Sequence, residues 1–427
     1  MRDRRFLTGF RKGCVYLLVA LHVALRYALR PSRFAWSVPG FSRFLYRALR
    51  LLLLFRHNKV VRTASGYKLH LYLPAWPSRA FFHAVESKLL WPSPAPVTVV
   101  FSMTKACRYD CRHCYQRLDG GKDLQLEDVV STASAVQDAG VAFFDIEGGE
   151  PFVRFKRLLS VVDALDDRSE VWVNTSGDKV TAERLRTLRE RGVAGLFISV
   201  HSPDPAVNDD LTRTKGSLDN ALGAARLARG EGLAVAFNSV LSEDEIEKGA
   251  LDDLMDLAKT VDADYVQLIH PKPSGKWLSR RDAMQRSRRV IGRIVREHVR
   301  YNGPSTKAYP ALAAQAFEES PRVFGCTAGG IDRFYVNAAG EVQPCEFVNL
   351  SLGNVRDEPF HTIMSRMRSL FPLPHVDWLC CNHADSISEA LEREEGTPVR
   401  WPRSAEVIGG WRRGALTRGY RELGIYR

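Results

Sequence analysis

The sequence predicts an α/β chain built on a partial (βα)6 TIM-like barrel, and three observations carry that expectation. Short apolar runs alternate with helical stretches from residue 97 to 300, the pattern of a parallel sheet with helices outside. The runs fall at 97–103, 141–146, 170–174, 195–200, 234–238 and 264–269, six candidate strands. Polar and thiol residues follow the runs instead of filling them, and barrels keep their chemistry at strand ends. An amphipathic helical segment precedes this core, and a small cysteine-containing α+β extension follows it. The boundaries read as 1–62 for a basic amphipathic segment, 63–96 for a strand and linker, 97–300 for the core, 301–395 for the extension and 396–427 for a basic tail.

A chain of 427 residues with 45% apolar content has room for two or three domains. Its net charge of +12 is uneven. Residues 1–62 hold 14 Lys and Arg against one acid, Asp3, whereas the rest holds 47 basic and 48 acidic residues. Two apolar runs lie in this basic segment, Cys14 to Leu29 and Phe44 to Phe55. Arg11, Lys12, Arg26, Arg30 and Arg33 flank the first run, and Arg43, Arg47, Arg50 and Arg56 the second. Neither reaches the roughly 20 uninterrupted apolar residues of a spanning helix. Apolar faces edged with arginine suit helices lying in a membrane interface, where anionic lipid attracts them. Packing on the body, or a partner-binding arm, is the plainer alternative. Nucleic-acid binding is disfavoured, because phosphate contact needs no long leucine-rich face. Cys14 reads as a plain apolar residue. The run Tyr67 to Leu73 alternates as a strand, and Trp91-Pro92-Ser93-Pro94-Ala95-Pro96 reads as an extended linker.

Just past the first core strand, Cys107, Cys111 and Cys114 stand at C-x-x-x-C-x-x-C spacing, followed by Tyr115. Thiolates suit iron–sulfur clusters, and three leave one iron of a [4Fe–4S] cluster open to an outside ligand. On spacing alone a zinc site survives, with His113 as its fourth ligand. Eight cysteines without a secretory signal argue for metal ligation and a reducing compartment. The second strand runs into Glu147-Gly148-Gly149-Glu150-Pro151, whose paired glycines permit close backbone approach. The next three strands end at Asn174, at Ser199 and at Asn238. Turn capping is an equal explanation for each of these singly. His270, Lys272 and Lys276 follow the sixth strand and read as pocket residues or a solvated basic loop.

The cysteine triad with its aromatic successor and the Gly148-Gly149-Glu150-Pro151 turn, one βα unit apart, resemble the radical S-adenosylmethionine (radical SAM) superfamily. The resemblance covers about residues 97–383 and implies the partial barrel. It implies a [4Fe–4S] cluster on Cys107, Cys111 and Cys114, with SAM on the open iron. Tyr115 would lie beside the adenine. Gly148, Gly149, Glu150 and Pro151 would meet the SAM amino group, and Asn174, Ser199 and Asn238 its ribose and carboxylate. The family's Arg-Gly pair has its counterpart at Thr212-Arg213, with Arg213 a candidate for the carboxylate. His201 stands where relatives often have an acid.

Further on, Cys326 and Cys345 frame a hairpin joined at Ala338-Ala339-Gly340, and a helical stretch runs from Pro359 to Leu370. This resembles the start of a SPASM/twitch extension, which implies an auxiliary iron–sulfur cluster. Only Cys380, Cys381 and His383 remain beyond it, too few ligands for two clusters. One cluster on Cys326, Cys345 and one or both of Cys380 and Cys381 is expected, with structural zinc as the alternative. The resemblance implies an electron donor of flavodoxin or ferredoxin type, reductive cleavage of SAM and hydrogen abstraction from a peptide or a lipid or isoprenoid substrate. The expected location is the cytoplasmic face of a membrane, held peripherally. A different reading makes the chain a non-enzymatic metal-binding or electron-transfer protein at the membrane.

Overall fold

The N-terminal segment folds onto the barrel as a structural part of it. The computed structural model describes residues 5–28, 38–90, 95–284, 287–394 and 398–426. Arg30 and Arg33, and Trp91 to Pro94 of the expected linker, lie outside the described residues. Phe6–Leu7 (β1), Val60–Thr63 (β2) and Gly66–Lys68 (β3) form a small antiparallel sheet. Gly9–Ala28 (α1), Val38–Leu54 (α2) and Arg79–Val85 (α3) pack beside it. Every fourth residue of α1, Val15, Val19, Val23 and Tyr27, is buried in one core with Phe44, Leu52, Phe55, Phe81 and Phe82. That is the inward face a helical period dictates.

The expected strand at Tyr67 to Leu73 is cut short, since β3 ends at Lys68. Lys68 drives its ammonium into a buried ion pair with Glu170 at 2.5 Å, and Leu73 N–H turns back to the His70 carbonyl at 3.2 Å. Leu69 and Leu71 then enter two different cores, which a straight strand cannot do.

The barrel follows. Thr98–Ser102 (β4), Leu126–Asp138 (α4), Phe143–Glu147 (β5), Phe155–Asp163 (α5), Glu170–Thr175 (β6), Ala182–Glu190 (α6) and Val193–Ser199 (β7) alternate in order. Pro205–Thr212 (α7), Ser217–Gly230 (α8), Ala234–Val240 (β8), Glu243–Glu247 (α9), Ala250–Thr260 (α10), Tyr265–Ile269 (β9) and Arg288–Tyr301 (α11) complete the core. Strands β4 to β9 match the six expected runs and pair in parallel with their sequence neighbours. The sheet extends beyond them on both edges. Ala311–Ala314 (β10) adds beside β9, and Arg333–Val336 (β11) adds parallel to β4 and carries Val342–Gln343 (β12). The order is β10-β9-β8-β7-β6-β5-β4-β11-β12.

Strand alternation sorts the barrel into layers. Val99, Phe101, Phe144, Ile146, Val171, Val173, Leu196, Ile198, Val235 and Phe237 face the helices. At the strand starts the interior is apolar, with Phe143, Trp172, Phe197, Ala236 and Tyr265 packed against Phe6, Val61, Leu71 and Tyr72 of the N-terminal unit. That unit therefore plugs the lower end. Arg5 reaches the buried Asp264 at 3.3 Å, and Lys59 donates to the Thr306 and Tyr309 carbonyls at 3.0 and 2.9 Å. The tail is also tied down, with Tyr420, Leu423 and Ile425 packed on Leu54 and Ile331. No described helix is long and apolar enough to cross a membrane.

Candidate active site

At the opposite strand ends the interior becomes polar and opens into a cavity of about 330 Å³. Cys107, Cys111 and Cys114 line it, together with Tyr115, Gly148, Gly149, Asn174, Ser199 and Asn238. Residues from five separate strands and their loops thus meet on one wall. Ser199 and Asn238 are register partners on neighbouring strands, which sets their side chains together.

The turn after β5 holds the cysteine loop by its backbone. Gly149 N–H donates to the Thr104 carbonyl at 2.6 Å, and Glu150 N–H to that of Ala106 at 2.8 Å. A Cβ at Gly148 would lie 2.6 Å from the Thr104 oxygen, and one at Gly149 2.5 Å from that of Ala106. Only glycine allows this approach. The Glu150 carboxylate is turned away from the cavity lining. It accepts from Thr175 Oγ1 at 2.8 Å, from Ser176 N–H at 2.7 Å and from Ser176 Oγ at 2.6 Å. Burial nevertheless raises its pKa to about 7. Pro151 starts the short helix after this turn and is also buried away from the cavity.

The loop is pinned from its other side through Asp110. Lys276, Arg117 and Arg213 reach that carboxylate at 2.5, 2.8 and 3.2 Å. Arg213 and Lys276 are thereby engaged with the loop. Gly275 (φ +54°) seals the contact, since a Cβ there would meet Cys114 O and Tyr115 Cα at 2.3 Å. Tyr115 donates its hydroxyl to Glu147, which also accepts from Gln116 at 2.9 Å. Burial first, and Asp145 beside it second, push the Glu147 carboxyl well above the usual range.

Three buried polar atoms without a hydrogen-bond partner belong to this wall: Asn238 Oδ1, His113 Nδ1 and Lys272 Nζ. Such atoms are costly unless something meets them. His113 packs on His201 at 4.5 Å and on Trp277 at 5.6 Å. Burial lowers its pKa to about 4, so its ring is neutral at pH 7. Lys272 lies over the Trp378 ring, 2.7 Å from its centroid. Burial raises the Cys107 thiol to about 11 and the Cys111 thiol to about 12. These thiols stay protonated until a metal displaces the proton. A three-thiol set beside unpartnered donors and acceptors fits a cluster that leaves one iron open to a polar ligand.

Cys326, Cys345 and Cys380 are buried, and Cys381 is half-buried. Cys345 feels the charge of Cys326, and Cys380 that of Cys345. Cys380 and Cys381 share a hydrogen bond, and Lys272 feels both. Lys272 lines the cavity and lies over Trp378, two residues before Cys380, which sets this second group behind the same wall. His383 is stacked on Trp411 at 4.2 Å. Among the described residues, no group of three or more His, Cys, Asp or Glu is arranged to hold a single metal ion.

Asn174, Ser199 and Asn238 were marked by their strand-end positions and the family resemblance, whereas the part played by Gly275 depends on a distant loop crossing the cysteine loop. The sequence pointed to His270, Lys272 and Lys276 together. His270 and Lys272 both line the cavity, with His270 3.4 Å from Glu243, whereas Lys276 is drawn onto Asp110.

Residues 101–257 match the Radical SAM superfamily. The chain is 22% identical to an AdoMet-dependent heme synthase of Nitratidesulfovibrio vulgaris, over 64% of this chain and 79% of that protein. It is 27% identical to a PqqA peptide cyclase of Streptomyces rochei, over 67% of this chain and 80% of that protein. Among solved structures it resembles Streptococcus suis SuiB bound to the precursor peptide SuiA, with a TM-score of 0.50 and 16% identity. That likeness covers 63% of this chain and 64% of SuiB, less than two thirds of SuiB's length, and shows a shared fold. The cofactors of this superfamily are a [4Fe–4S] cluster and SAM. Residues 101–257 are a radical SAM domain, and the chain is an enzyme of SAM-dependent radical chemistry.

Proposed function

We propose that Cys107, Cys111 and Cys114 hold the [4Fe–4S] cluster and that the cavity beside them takes SAM. The observation carrying this is that three thiols, Gly148, Gly149, Asn174, Ser199 and Asn238 line one 330 Å³ cavity. When bound, the cluster supplies one electron to SAM, whose cleavage gives methionine and a 5′-deoxyadenosyl radical that abstracts hydrogen from substrate. The protein's own residues bind and orient. Asn174, Ser199 and Asn238 offer hydrogen bonds to the SAM ribose and carboxylate, and Tyr115 borders the adenine. The turn at Gly148 and Gly149 presents backbone to the SAM amino group. Glu150 and Pro151 act behind it as positioning residues, because the carboxylate is committed to Thr175 and Ser176. The apolar lower barrel keeps water from the radical. A small donor of flavodoxin or ferredoxin type would supply the electron.

We assign Cys326, Cys345, Cys380 and Cys381 to one auxiliary cluster in a SPASM-like extension over residues 301–395. Three of these four cysteines are buried, and Cys380 and Cys381 share a hydrogen bond, which supports this. The substrate class best supported is a peptide, since the similar proteins include a peptide cyclase. A lipid or isoprenoid substrate is the second reading, favoured by the exposed apolar face of α1. Residues 1–62 would hold the enzyme peripherally at the cytoplasmic face of a membrane.

The test is anaerobic reconstitution, then dithionite and SAM, with 5′-deoxyadenosine measured by chromatography. The wild type should form it. The variant Cys107→Ala/Cys111→Ala/Cys114→Ala should form none yet retain iron at the second set. A fully loaded wild type that makes no 5′-deoxyadenosine would refute the reading. Stimulation of product formation by a peptide fraction or by a lipid extract separates the two substrate classes.

A further inference from the structure

The helix α1 carries a surface that no part of the barrel uses. Val15, Val19, Val23 and Tyr27 face inward. On the other side Phe10, Leu17, Leu18, Leu21 and Leu25 are 87%, 61%, 52%, 50% and 60% exposed, and Cys14 is exposed among them. Their spacing keeps them on one stripe about 22 Å long at 1.5 Å per residue. The neighbouring helix α2 adds exposed Tyr46, Leu49 and Leu53. Contiguous apolar surface of this extent marks an interaction site.

The charge around the stripe selects the occupant. Neither α1 nor α2 contains an acidic residue. The basic residues divide into two groups. Lys12 donates to the Arg56 and Asn58 carbonyls, Arg26 lies over the Phe82 ring, Arg47 reaches the Leu89 carbonyl, and Arg50 pairs with Glu422. Lys12 ties α1 to the end of α2, and the other three reach α3, the stretch after it and the C-terminal tail. Arg11, Arg43 and Arg56 are exposed, and Arg56 also donates to the Leu53 carbonyl at 3.2 Å. A second copy of the chain on this face would bring like charges together, whereas an anionic bilayer neutralises them. No described helix qualifies to span a bilayer, so the stripe must lie flat.

We propose that α1 and α2 form the docking face for an anionic bilayer, with Phe10, Leu17, Leu18, Leu21 and Leu25 inserted below the headgroups and Arg11, Arg43 and Arg56 on the phosphates. This builds on the peripheral placement of residues 1–62 and gives it an orientation. The unit is joined to the strand starts through Phe6, Val61 and Arg5, and the cysteine loop leaves the strand ends. Docking there leaves the barrel mouth uncovered, open to a substrate arriving from water.

The test is flotation of the full-length reconstituted enzyme with phosphatidylcholine vesicles, with and without phosphatidylglycerol. The wild type should float with the anionic vesicles and lose binding as salt rises. Leu17→Glu/Leu21→Glu should cut binding by roughly tenfold or more, since each inserted leucine contributes over 1 kcal/mol. Its melting temperature and 5′-deoxyadenosine yield should stay unchanged, because both positions are exposed. Arg11→Glu/Arg43→Glu should abolish the preference for anionic vesicles. A wild type that stays with the aqueous fraction, or a double leucine variant that floats as well as the wild type, overturns the proposal. So does a wild-type dimer in sedimentation that the leucine variant converts to monomer without any vesicle binding. In each case 5′-deoxyadenosine formation in the same samples reports separately on the SAM site.

Discussion

At the scale of single residues, the site depends as much on glycines as on its thiols. Asn174, Ser199 and Asn238 were legible as polar residues at strand ends, where the resemblance to the radical SAM superfamily implies contacts to SAM. Gly275 was not legible, since its role exists only where a distant loop crosses the cysteine loop. Both its positive φ and the space around it exclude a side chain. Gly275→Ala should therefore displace the backbone at Cys114 and Tyr115. After identical reconstitution the variant should retain several-fold less iron at the first set and make correspondingly less 5′-deoxyadenosine. Its helical circular dichroism should stay close to wild type. Normal iron content in Gly275→Ala would remove this glycine from the account of the site. His113 follows the same logic in reverse, because spacing made it a possible zinc ligand. The fold instead packs it, half-buried, against His201 and Trp277, as a wall residue of the cavity.

At the scale of elements, strands β4 to β9 could be read because each is a continuous apolar run followed by a turn. The edge strands could not be assigned to the barrel on that basis. β10 is only four residues, Ala311–Ala314, three of them alanine, and β11 reads as half of a hairpin although its other edge pairs with β4. Pairing partners far apart in sequence leave no local signal. The joint between the N-terminal unit and α11 also has a pH dependence that its burial predicts. His298 stacks on Phe317 at 4.0 Å and accepts from Ala314 N–H at Nδ1, so its Nε2–H donates to Asn58 Oδ1 at 3.0 Å. Burial lowers its pKa from 6.5 to about 4, with His57 and His70 acting in the same direction and Glu318 against them. A depressed folded-state pKa means that the neutral ring's contribution is complete above pH 6.5 and is lost as pH falls through 4. At 1.36 kcal/mol per unit, protonation costs up to about 3 kcal/mol. The wild-type melting temperature should fall between pH 7 and pH 4.5 by more than that of His298→Gln. Equal falls in the two proteins would rule His298 out as the titrating group.

At the scale of the whole molecule, the charge partition suggested a membrane-associating segment, with packing on the body as the plainer alternative, and the structure packs the same residues onto the barrel. Phe6 and Val61 close the lower end, Arg5 neutralises the buried Asp264, and Lys59 caps two carbonyls of the loop before β10. The inner face of α1 and α2 covers Phe81, Phe82, Val85 and Leu89, all nearly fully buried. Uncovering four such side chains costs about 1.5–3 kcal/mol each. Together that is comparable with the roughly 5–15 kcal/mol by which whole domains are stable. It also leaves Asp264 with Arg229 as its remaining ion-pair partner. A chain lacking residues 1–62 should therefore fail to accumulate as soluble protein, and any soluble fraction should fail to load iron at Cys107, Cys111 and Cys114. Metal content and thermal melting of the truncated chain test this. If it purifies, loads iron and melts like the full chain, the N-terminal unit is an appendage and the barrel is closed without it. If it does not, β1 and β2 close the barrel, and the inner face of α1 and α2 is needed to hold that unit together. The acid-free outer stripe could then change without touching the plug, and point substitutions on that stripe would be the means of separating location from catalysis.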